Sequence, residues 1–235
     1  MADAVKPIRL IAGLGNPGLQ YRGTRHNMGY WLLDAIAEEK GLRFSPDAKF
    51  FGEVARLKCE QGDIWLLKPT TYMNLSGSAV QAMASYYKIS PEEILVVHDE
   101  LDIAPGCMKI KLGGGNAGHN GLKDITAKLS TPNFWRLRIG IGHPRVFCPQ
   151  QQVYDWVLGV PEPEHREGMQ KCIDAAKKCL ENLAKGNLEG VKRTVRKYES
   201  LPKPKAEPKP KPEPESAEKE PRKTAPAETD AARPE

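Results

Sequence analysis

The sequence predicts an α/β fold built around a mixed β-sheet. Two observations carry this prediction. Short apolar runs that are typical of strands alternate along the chain with segments whose apolar residues have helical spacing. No internal repeat occurs, so the pattern does not indicate a solenoid or an array. Interleaved strands and helices favour one layered sheet over separate helical and all-β regions.

The first half of the chain begins with a predicted buried strand at residues 8–14, an apolar run that ends in glycines. Thr24 is predicted to be the N-cap of a helix with Trp31 and Ile36 on its apolar face, and Gly41 is predicted to end this helix. The elements predicted next are strands at 54–57 and 64–67 around a turn at 61–63, a helix at 76–87 and a strand at 94–97.

The second half continues the alternation. Alternation of apolar and polar residues predicts strands at 108–112 and 135–141, and a helix is predicted between them at 122–129. Two further helices are predicted at 164–185 and 188–198, separated by Gly186.

The last residues have a different composition, so we expect a domain at 1–199 and a tail at 200–235. The tail contains nine of the 20 prolines, eight basic and eight acidic residues, and no apolar residues except Leu201 and alanines. Such a segment buries too little apolar surface to offset the entropy of ordering, which predicts disorder.

Composition also limits the function classes. The length of 235 residues fits one good-sized domain or at most two small ones, and the net charge of +5 is compatible with a nucleic-acid partner. No apolar stretch reaches the length of a membrane span, and residues 1–7 lack the apolar region of a signal peptide. Five cysteines without a CxxC pair indicate neither a zinc ribbon nor a disulfide framework, so we expect a cytoplasmic protein without membrane association.

Glycines 13, 15 and 18 follow the first strand in the pattern of a dinucleotide-binding loop. Pro17 and residues 19–23 delay the helix that should begin at the glycines, and no acidic residue ends the second strand. Glycines 113, 115 and 118 match the same pattern, so it discriminates poorly. An NAD-dependent oxidoreductase remains an alternative that depends on this loop alone.

Polar residues cluster in loops next to the predicted strands. Because loops at the carboxyl ends of strands build the sites of α/β folds, we expect these loops to converge. The residues are Asn16, Tyr21 and His26 after the first strand, Tyr72, Met73 and Asn74 before the second helix, His98, Asp99 and Asp102 at the end of a central strand, and His119 and Asn120 before a later helix.

This set of residue types supports base-assisted hydrolysis. A neutral imidazole held by a carboxylate can take a proton from water, and asparagine amides can hold a carbonyl or a developing oxyanion. Alternation puts His98 and Asp99 on opposite sides of their strand, and we expect Asp99 to face His26. A metal site is the rival interpretation, with ligands drawn from His26, His98, Asp99, His119 and Asp102, but no compact ligand motif is present. The sequence contains no GxSxG motif, so it gives no support for a serine nucleophile.

Six sequence motifs are specific enough to indicate which protein family the chain resembles. They are GLGNPG (13–18), TRHN (24–27), KPTTYMNLSG (68–77), HDELD (98–102), GHNGLKD (118–124) and RLRIGIGHP (136–144). In this order, and from about residue 8 to about 195, the chain resembles the bacterial-type peptidyl-tRNA hydrolases. Two residues depart from the family pattern: Tyr72 stands where many relatives have Phe, and Asn116 where many have His.

The resemblance implies a monomeric esterase with no cofactor or metal, on a twisted mixed sheet flanked by helices. Its substrate would be the ester between a peptide, or an N-blocked aminoacyl group, and the 3′-terminal ribose of tRNA. It would recycle tRNA from peptidyl-tRNA released by, or trapped on, stalled ribosomes, with the large ribosomal subunit as a further partner. By position, His26 resembles the catalytic base, Asp99 its supporting carboxylate and Asn16 the residue that selects N-blocked substrates.

The remaining positions resemble binding residues. Contacts to the tRNA end and the peptide are implied for Tyr21, Tyr72, Met73, Asn74 and Asn120, and a clamp on the tRNA 5′-phosphate for Lys111 and Arg138. An RNA-binding module without catalysis is the alternative from another class. It would keep a basic face but could lose His26 or Asp99, and both are present.

Overall fold

The computed structural model describes residues 6–200, and within them seven strands form one mixed sheet in the order β2-β3-β4-β1-β5-β7-β6. The predicted α/β class is confirmed. The strands are β1 (Leu10–Gly13), β2 (Ser45–Asp47), β3 (Gly52–Leu57), β4 (Ile64–Pro69), β5 (Ile94–Glu100), β6 (Met108–Leu112) and β7 (Trp135–Gly140). The helices are α1 (Met28–Lys40), α2 (Ser76–Tyr87), α3 (Asn120–Leu129), α4 (Pro144–Phe147), α5 (Val153–Val157), α6 (Pro163–Lys177), α7 (Leu180–Ala184) and α8 (Leu188–Arg196).

Four adjacent strands in the middle of the sheet, β4, β1, β5 and β7, run parallel. Their carboxyl ends therefore meet along one side of the sheet, the carboxyl edge. The outer strands β3 and β6 pair antiparallel with β4 and β7, and β2 pairs antiparallel with β3.

Alternation along β5 divides the core into two layers. Leu95 and Val97 belong to a cluster with residues of α1, α6 and α8, whereas Ile94 and Val96 belong to a cluster with residues of α2 and α3. Every residue of β5 is buried, so this strand is covered on both faces. The two faces are called the α1 face and the α3 face below.

Close packing between β1 and α1 accounts for a glycine of the first glycine-rich loop, with no need for a bound nucleotide. A Cβ atom at Gly13 would lie 2.4 Å from the carbonyl oxygen of Gly29, and one at Gly29 would lie 2.0 Å from the backbone nitrogen of Leu14. Helix α1 can therefore pack directly against the end of β1 only because both positions lack a side chain.

Two predicted helices have different boundaries in the structure. Helix α1 begins at Met28 rather than after Thr24, because residues Arg25–Asn27 form a 3-10 turn and the Thr24 hydroxyl donates to the Tyr21 carbonyl. The predicted helix at 164–185 is divided into α6 and α7. The Cys179 amide bonds to Ala176, three residues back, and this tightened turn separates the two helices.

Three short elements, β2, α4 and α5, lie outside the predicted helices and strands. They contain three, four and five residues, which is too few for a periodic pattern to be recognised. The predicted disorder of the tail concerns residues that lie, beyond Ser200, outside the described part of the chain. Over residues 6–200, none of the helices combines the length and apolarity that crossing a membrane requires.

Candidate active site

A cavity of about 580 Å³ lies at the carboxyl edge of the sheet. Eight of the ten predicted site residues line it: Asn16, Tyr21, His26, Tyr72, Met73, Asn74, Asp99 and Asn120. The polar loops therefore converge at this edge, although His98 and Asp102 of the expected set do not line the cavity. Lys111 and Arg138 do not line the cavity.

The 3-10 turn that carries His26 is fixed to the loop after β1 by the buried side chain of Asn27. Asn27 Oδ1 accepts a hydrogen bond from the backbone N–H of Asn16 at 2.9 Å. Its Nδ2 donates to the carbonyl oxygen of Asn16 at 3.0 Å. The motif that contains Asn27 gives no signal for this function, because the hydrogen bonds of Asn27 cross between loops.

His26 and Asp99 are in direct contact. The His26 Nδ1 atom lies 2.9 Å from Asp99 Oδ1, and the Asp99 side chain is only 3 % exposed. Asp99 continues the α1 face of β5, which is the side on which the His26 turn lies. His98 points to the opposite face, where its Nδ1 donates to the Asp99 carbonyl oxygen at 2.6 Å. Burial lowers the pKa of His98 well below its usual value, so this imidazole is neutral.

A second imidazole, that of His119, also contacts the Asp99 carboxylate. Its Nε2 lies 3.1 Å from Asp99 Oδ1. Its Nδ1 accepts the backbone N–H of Leu122 at the start of α3, so the proton is on Nε2 and His119 donates to Asp99. In the sequence, His119 belongs to the polar cluster and to the rival set of metal ligands, but no pattern predicts its contact with Asp99. Its position just before a predicted helix was the available signal.

The Asp99 carboxylate determines which nitrogen of His26 can act as a base. An ionised carboxylate only accepts hydrogen bonds, so Nδ1 of His26 carries the proton and Nε2 keeps its lone pair. Burial lowers the pKa of His26, but the charge of Asp99 and its hydrogen bond raise it, and the net shift is upward. For the Asp99 carboxyl, burial acts in the opposite direction and raises the pKa. The hydrogen bonds and charges of the two imidazoles lower this pKa by more, so it lies well below its usual range.

His26, Asp99 and His119 also place potential metal-ligand atoms within 4.8 Å of one another. Both imidazoles, however, use the facing nitrogen to donate to Asp99. A metal ion bound by these atoms would have to replace both hydrogen bonds. The donor arrangement therefore favours a hydrogen-bonded triad.

Asn16 is held by its side-chain carbonyl, and within residues 6–200 its Nδ2 group donates no hydrogen bond. Its Oδ1 accepts the backbone N–H of Met73 at 2.8 Å, which connects the loop after β1 to the 3-10 turn Met73–Leu75. Because the carbonyl end is occupied, the Nδ2 group is the part of this amide that can bind a ligand in the cavity. Asn74 and Asn120 also line the cavity and are exposed.

The loop of residues 113–119 reaches the cavity in an unexpected way. Strand β6 runs antiparallel to β7, so its last residue, Leu112, pairs with Trp135 at the beginning of β7. The loop must return along the sheet, about 13 Å at strand spacing, to bring His119 beside Asp99. Asn116 holds this loop to α3, since its Oδ1 accepts the Thr126 hydroxyl at 3.2 Å.

One wall of the cavity comes from helix α5 and the residue after it, and five residues are too few for a periodic pattern to predict this helix. Val153, Tyr154, Val157 and Leu158 line this wall. The Tyr154 side chain is 71 % exposed, so the wall presents apolar and aromatic surface to a ligand.

Lys111 and Arg138 lie on the α3 face of the sheet, outside the cavity. The register pairs Lys111 with Arg136 and Lys109 with Arg138, which places four cations on one face of the β6–β7 ladder. Arg138 Nε donates to Glu100, a cavity-lining residue, at 2.9 Å. Burial and the two neighbouring arginines lower the pKa of Lys111, as expected where positive charge is concentrated.

Comparisons with known proteins agree with this geometry. The family model described as peptidyl-tRNA hydrolase matches residues 10–207. The peptidyl-tRNA hydrolase of Neisseria meningitidis serogroup A is 52 % identical over 186 residues, which are 79 % of this chain and 95 % of that protein. The Bordetella avium enzyme of the same name is 52 % identical over 182 residues, 77 % of this chain and 88 % of that protein.

A solved structure shows the same fold at substantial identity. The crystal structure of peptidyl-tRNA hydrolase from Acinetobacter baumannii superposes with a TM-score of 0.77 at 43 % identity, covering 81 % of this chain and 95 % of that one. With the family model matching most of the chain and relatives more than half identical, the chain belongs to the peptidyl-tRNA hydrolase family and is an enzyme of that class.

Proposed function

We propose that His26 acts as the general base for hydrolysis of the ester between the peptide and the 3′-terminal ribose of tRNA. The observation that carries this proposal is the 2.9 Å contact between His26 and Asp99, which leaves the other imidazole nitrogen unprotonated in the cavity. Nε2 takes a proton from water while the water oxygen bonds to the ester carbonyl carbon. The carbon–oxygen bond to the ribose then breaks, and the ribose oxygen takes up the proton that Nε2 of His26 accepted, which restores the neutral imidazole.

Asparagine amides supply the electrostatic part of the proposal. The carbonyl oxygen gains negative charge as water attacks, and N–H donors placed before the reaction stabilise that charge. Asn16, Asn74 and Asn120 offer such donors around the cavity. Tyr21, Tyr72 and Met73 complete the surface that holds the tRNA end and the peptide.

The basic face of β6 and β7 supports a proposed contact outside the cavity. We assign Lys111 and Arg138 to the tRNA 5′-phosphate, because cations on one strand ladder form a site for a phosphate group. The enzyme would act as a monomer in the cytoplasm, on peptidyl-tRNA that has left ribosomes or is trapped on stalled large subunits.

A hydrolysis assay with purified peptidyl-tRNA as substrate tests the proposal directly. We expect release of free peptide and intact tRNA, at a rate that EDTA does not change. Binding without hydrolysis would instead support an RNA-binding module, and loss of activity with chelator would support a metal centre at His26, Asp99 and His119. An NAD-dependent enzyme would show bound nucleotide in a fluorescence titration.

Replacing Asn16 should reduce selectivity for N-blocked substrates. An N-blocked substrate offers an amide group where free aminoacyl-tRNA carries an ammonium, and an unmatched polar group costs about 1–3 kcal/mol. Asn16→Ala or Asn16→Asp should therefore narrow the ratio of kcat/KM for the two substrates by about ten- to a hundredfold. Asn133→Ala, at an exposed loop position, is the control. An unchanged ratio would assign the selectivity to Asn74 or Asn120.

Replacing Lys111 or Arg138 by alanine should raise KM for full-length tRNA substrates far more than for a short CCA-ended mimic. Removing one cation that binds a phosphate should reduce the salt dependence of binding by about one unit of slope. Lys171→Ala removes an exposed charge on α6 and controls for net charge. Equal losses on both substrates would indicate that these residues support the fold instead.

Deleting residues 200–235 should leave hydrolysis nearly unchanged. The segment carries eight basic and eight acidic residues, so it has little net attraction for phosphate. Steady-state kinetics on peptidyl-tRNA compare the full chain with the truncated one. A tenfold or larger rise in KM would show that the tail holds tRNA.

A further inference from the structure

Arg25 precedes the proposed base, and its side chain is only 2 % exposed although it carries a charge. Its guanidinium carbon lies 3.7 Å from the centre of the Trp156 ring. Nη1 donates to the carbonyl oxygen of Trp156 at 3.1 Å, and Nη2 forms an ion pair with Glu162 at 2.7 Å. The proposed reaction gives this arginine no chemical step.

All three contacts reach the part of the chain that forms the apolar cavity wall, residues 153–158, or the residues just after it. The backbone adds a fourth, since the Arg25 N–H donates to the carbonyl oxygen of Gly159 at 3.0 Å. On its other side the wall is held by Trp156, whose indole nitrogen donates to the carbonyl oxygen of Gly142 just beyond β7. Arg25 therefore connects the wall to the His26 turn, and Trp156 connects it to the sheet.

The chemistry of the contacts requires a guanidinium rather than any buried cation. A planar group can stack on an indole ring while two of its N–H groups donate to a carbonyl and to a carboxylate. Burial lowers the pKa of Arg25, and Glu162 offsets part of this shift. Burying the Arg25 guanidinium costs desolvation energy, and its partner Glu162 is 58 % exposed, so this ion pair is a weak source of stability and its geometry indicates another use.

We infer that Arg25 is a positioning residue that sets the distance between the cavity wall and His26. This inference rests on the proposed function of the cavity. The wall presents Val153, Tyr154 and Val157 to the substrate, whereas the His26–Asp99 hydrogen bond does not involve the Arg25 side chain. Loss of Arg25 should therefore weaken substrate binding and leave the ionisation of the base unchanged.

The test compares steady-state kinetics of Arg25→Gln, Arg25→Lys and Glu162→Gln on one peptidyl-tRNA. We expect KM to rise at least about tenfold for Arg25→Gln, since hydrogen bonds to a charged group are removed. Arg25→Lys and Glu162→Gln should show smaller rises, because each keeps part of the contact set. The pH midpoint of kcat should stay at its wild-type value in all three.

A destabilised control separates positioning from folding. Leu183→Ala removes a buried side chain from α7, away from the wall, and should lower Tm without changing KM. If Arg25→Gln is unstable, Glu162→Gln still tests the inference, because Glu162 is more than half exposed. Wild-type KM in folded Arg25→Gln and Glu162→Gln would overturn it.

The control for the proposed function is His26→Ala on the same substrate. If the cavity were not the active site, His26→Ala would keep its activity and the Arg25 variants would also be normal. If only the inference about Arg25 is wrong, His26→Ala loses activity whereas Arg25→Gln retains wild-type KM.

Discussion

Replacing His26 by alanine is expected to lower kcat by about 10² to 10⁴, the usual contribution of a general base. Tight binding of tRNA should persist, because Lys111 and Arg138 lie outside the cavity that holds the imidazole. Single-turnover hydrolysis measures the chemical step, and a separate binding titration with uncleaved substrate measures affinity.

Added imidazole provides a control for this variant. The deletion leaves space beside Asp99 in a cavity open to ligands, so free imidazole should restore part of the rate in His26→Ala and leave the wild-type rate unchanged. Full activity of His26→Ala without imidazole would contradict water activation by this residue.

Much of the fold could be predicted because its central elements are long and strongly patterned. The apolar run of β5 and the alternation after it suffice to place His98 and Asp99 on opposite faces. Helix α2 has the predicted bounds of residues 76–87, since its apolar residues recur at helical spacing over three turns. The residues of the cavity followed from loops that the parallel strands bring to one edge.

The rest of the site depends on contacts that no local pattern records. Asn27 fixes the His26 turn through hydrogen bonds to Asn16, which is eleven residues away. His119 reaches Asp99 because the loop before it returns along the sheet from the antiparallel strand β6. Helix α5 is too short to produce a periodic signal, yet it forms a wall of the cavity.

Changing Asp99 to asparagine should reduce kcat and also move its pH dependence. His26 must be neutral to accept a proton, so kcat of the wild-type enzyme should rise with pH through the raised pKa of His26 and then level off. The negative charge of Asp99 is what raises this pKa, whereas burial lowers it. Removing the charge while burial remains should therefore lower the pKa of His26 and shift the midpoint of the pH profile to lower pH.

The loss of rate in Asp99→Asn should stay below about 100-fold, the lower limit expected for His26→Ala, because the base remains while its orientation and basicity suffer. The profile of kcat is measured from about pH 5 to 9 for the wild type and the variant, spanning the ordinary histidine pKa. His98→Asn, on the other face of β5, is the matched control: it replaces a buried imidazole that is already neutral, so its midpoint should stay at the wild-type value. A midpoint that stays fixed or rises in Asp99→Asn would mean that the ionisation controlling kcat is not that of a histidine paired with Asp99.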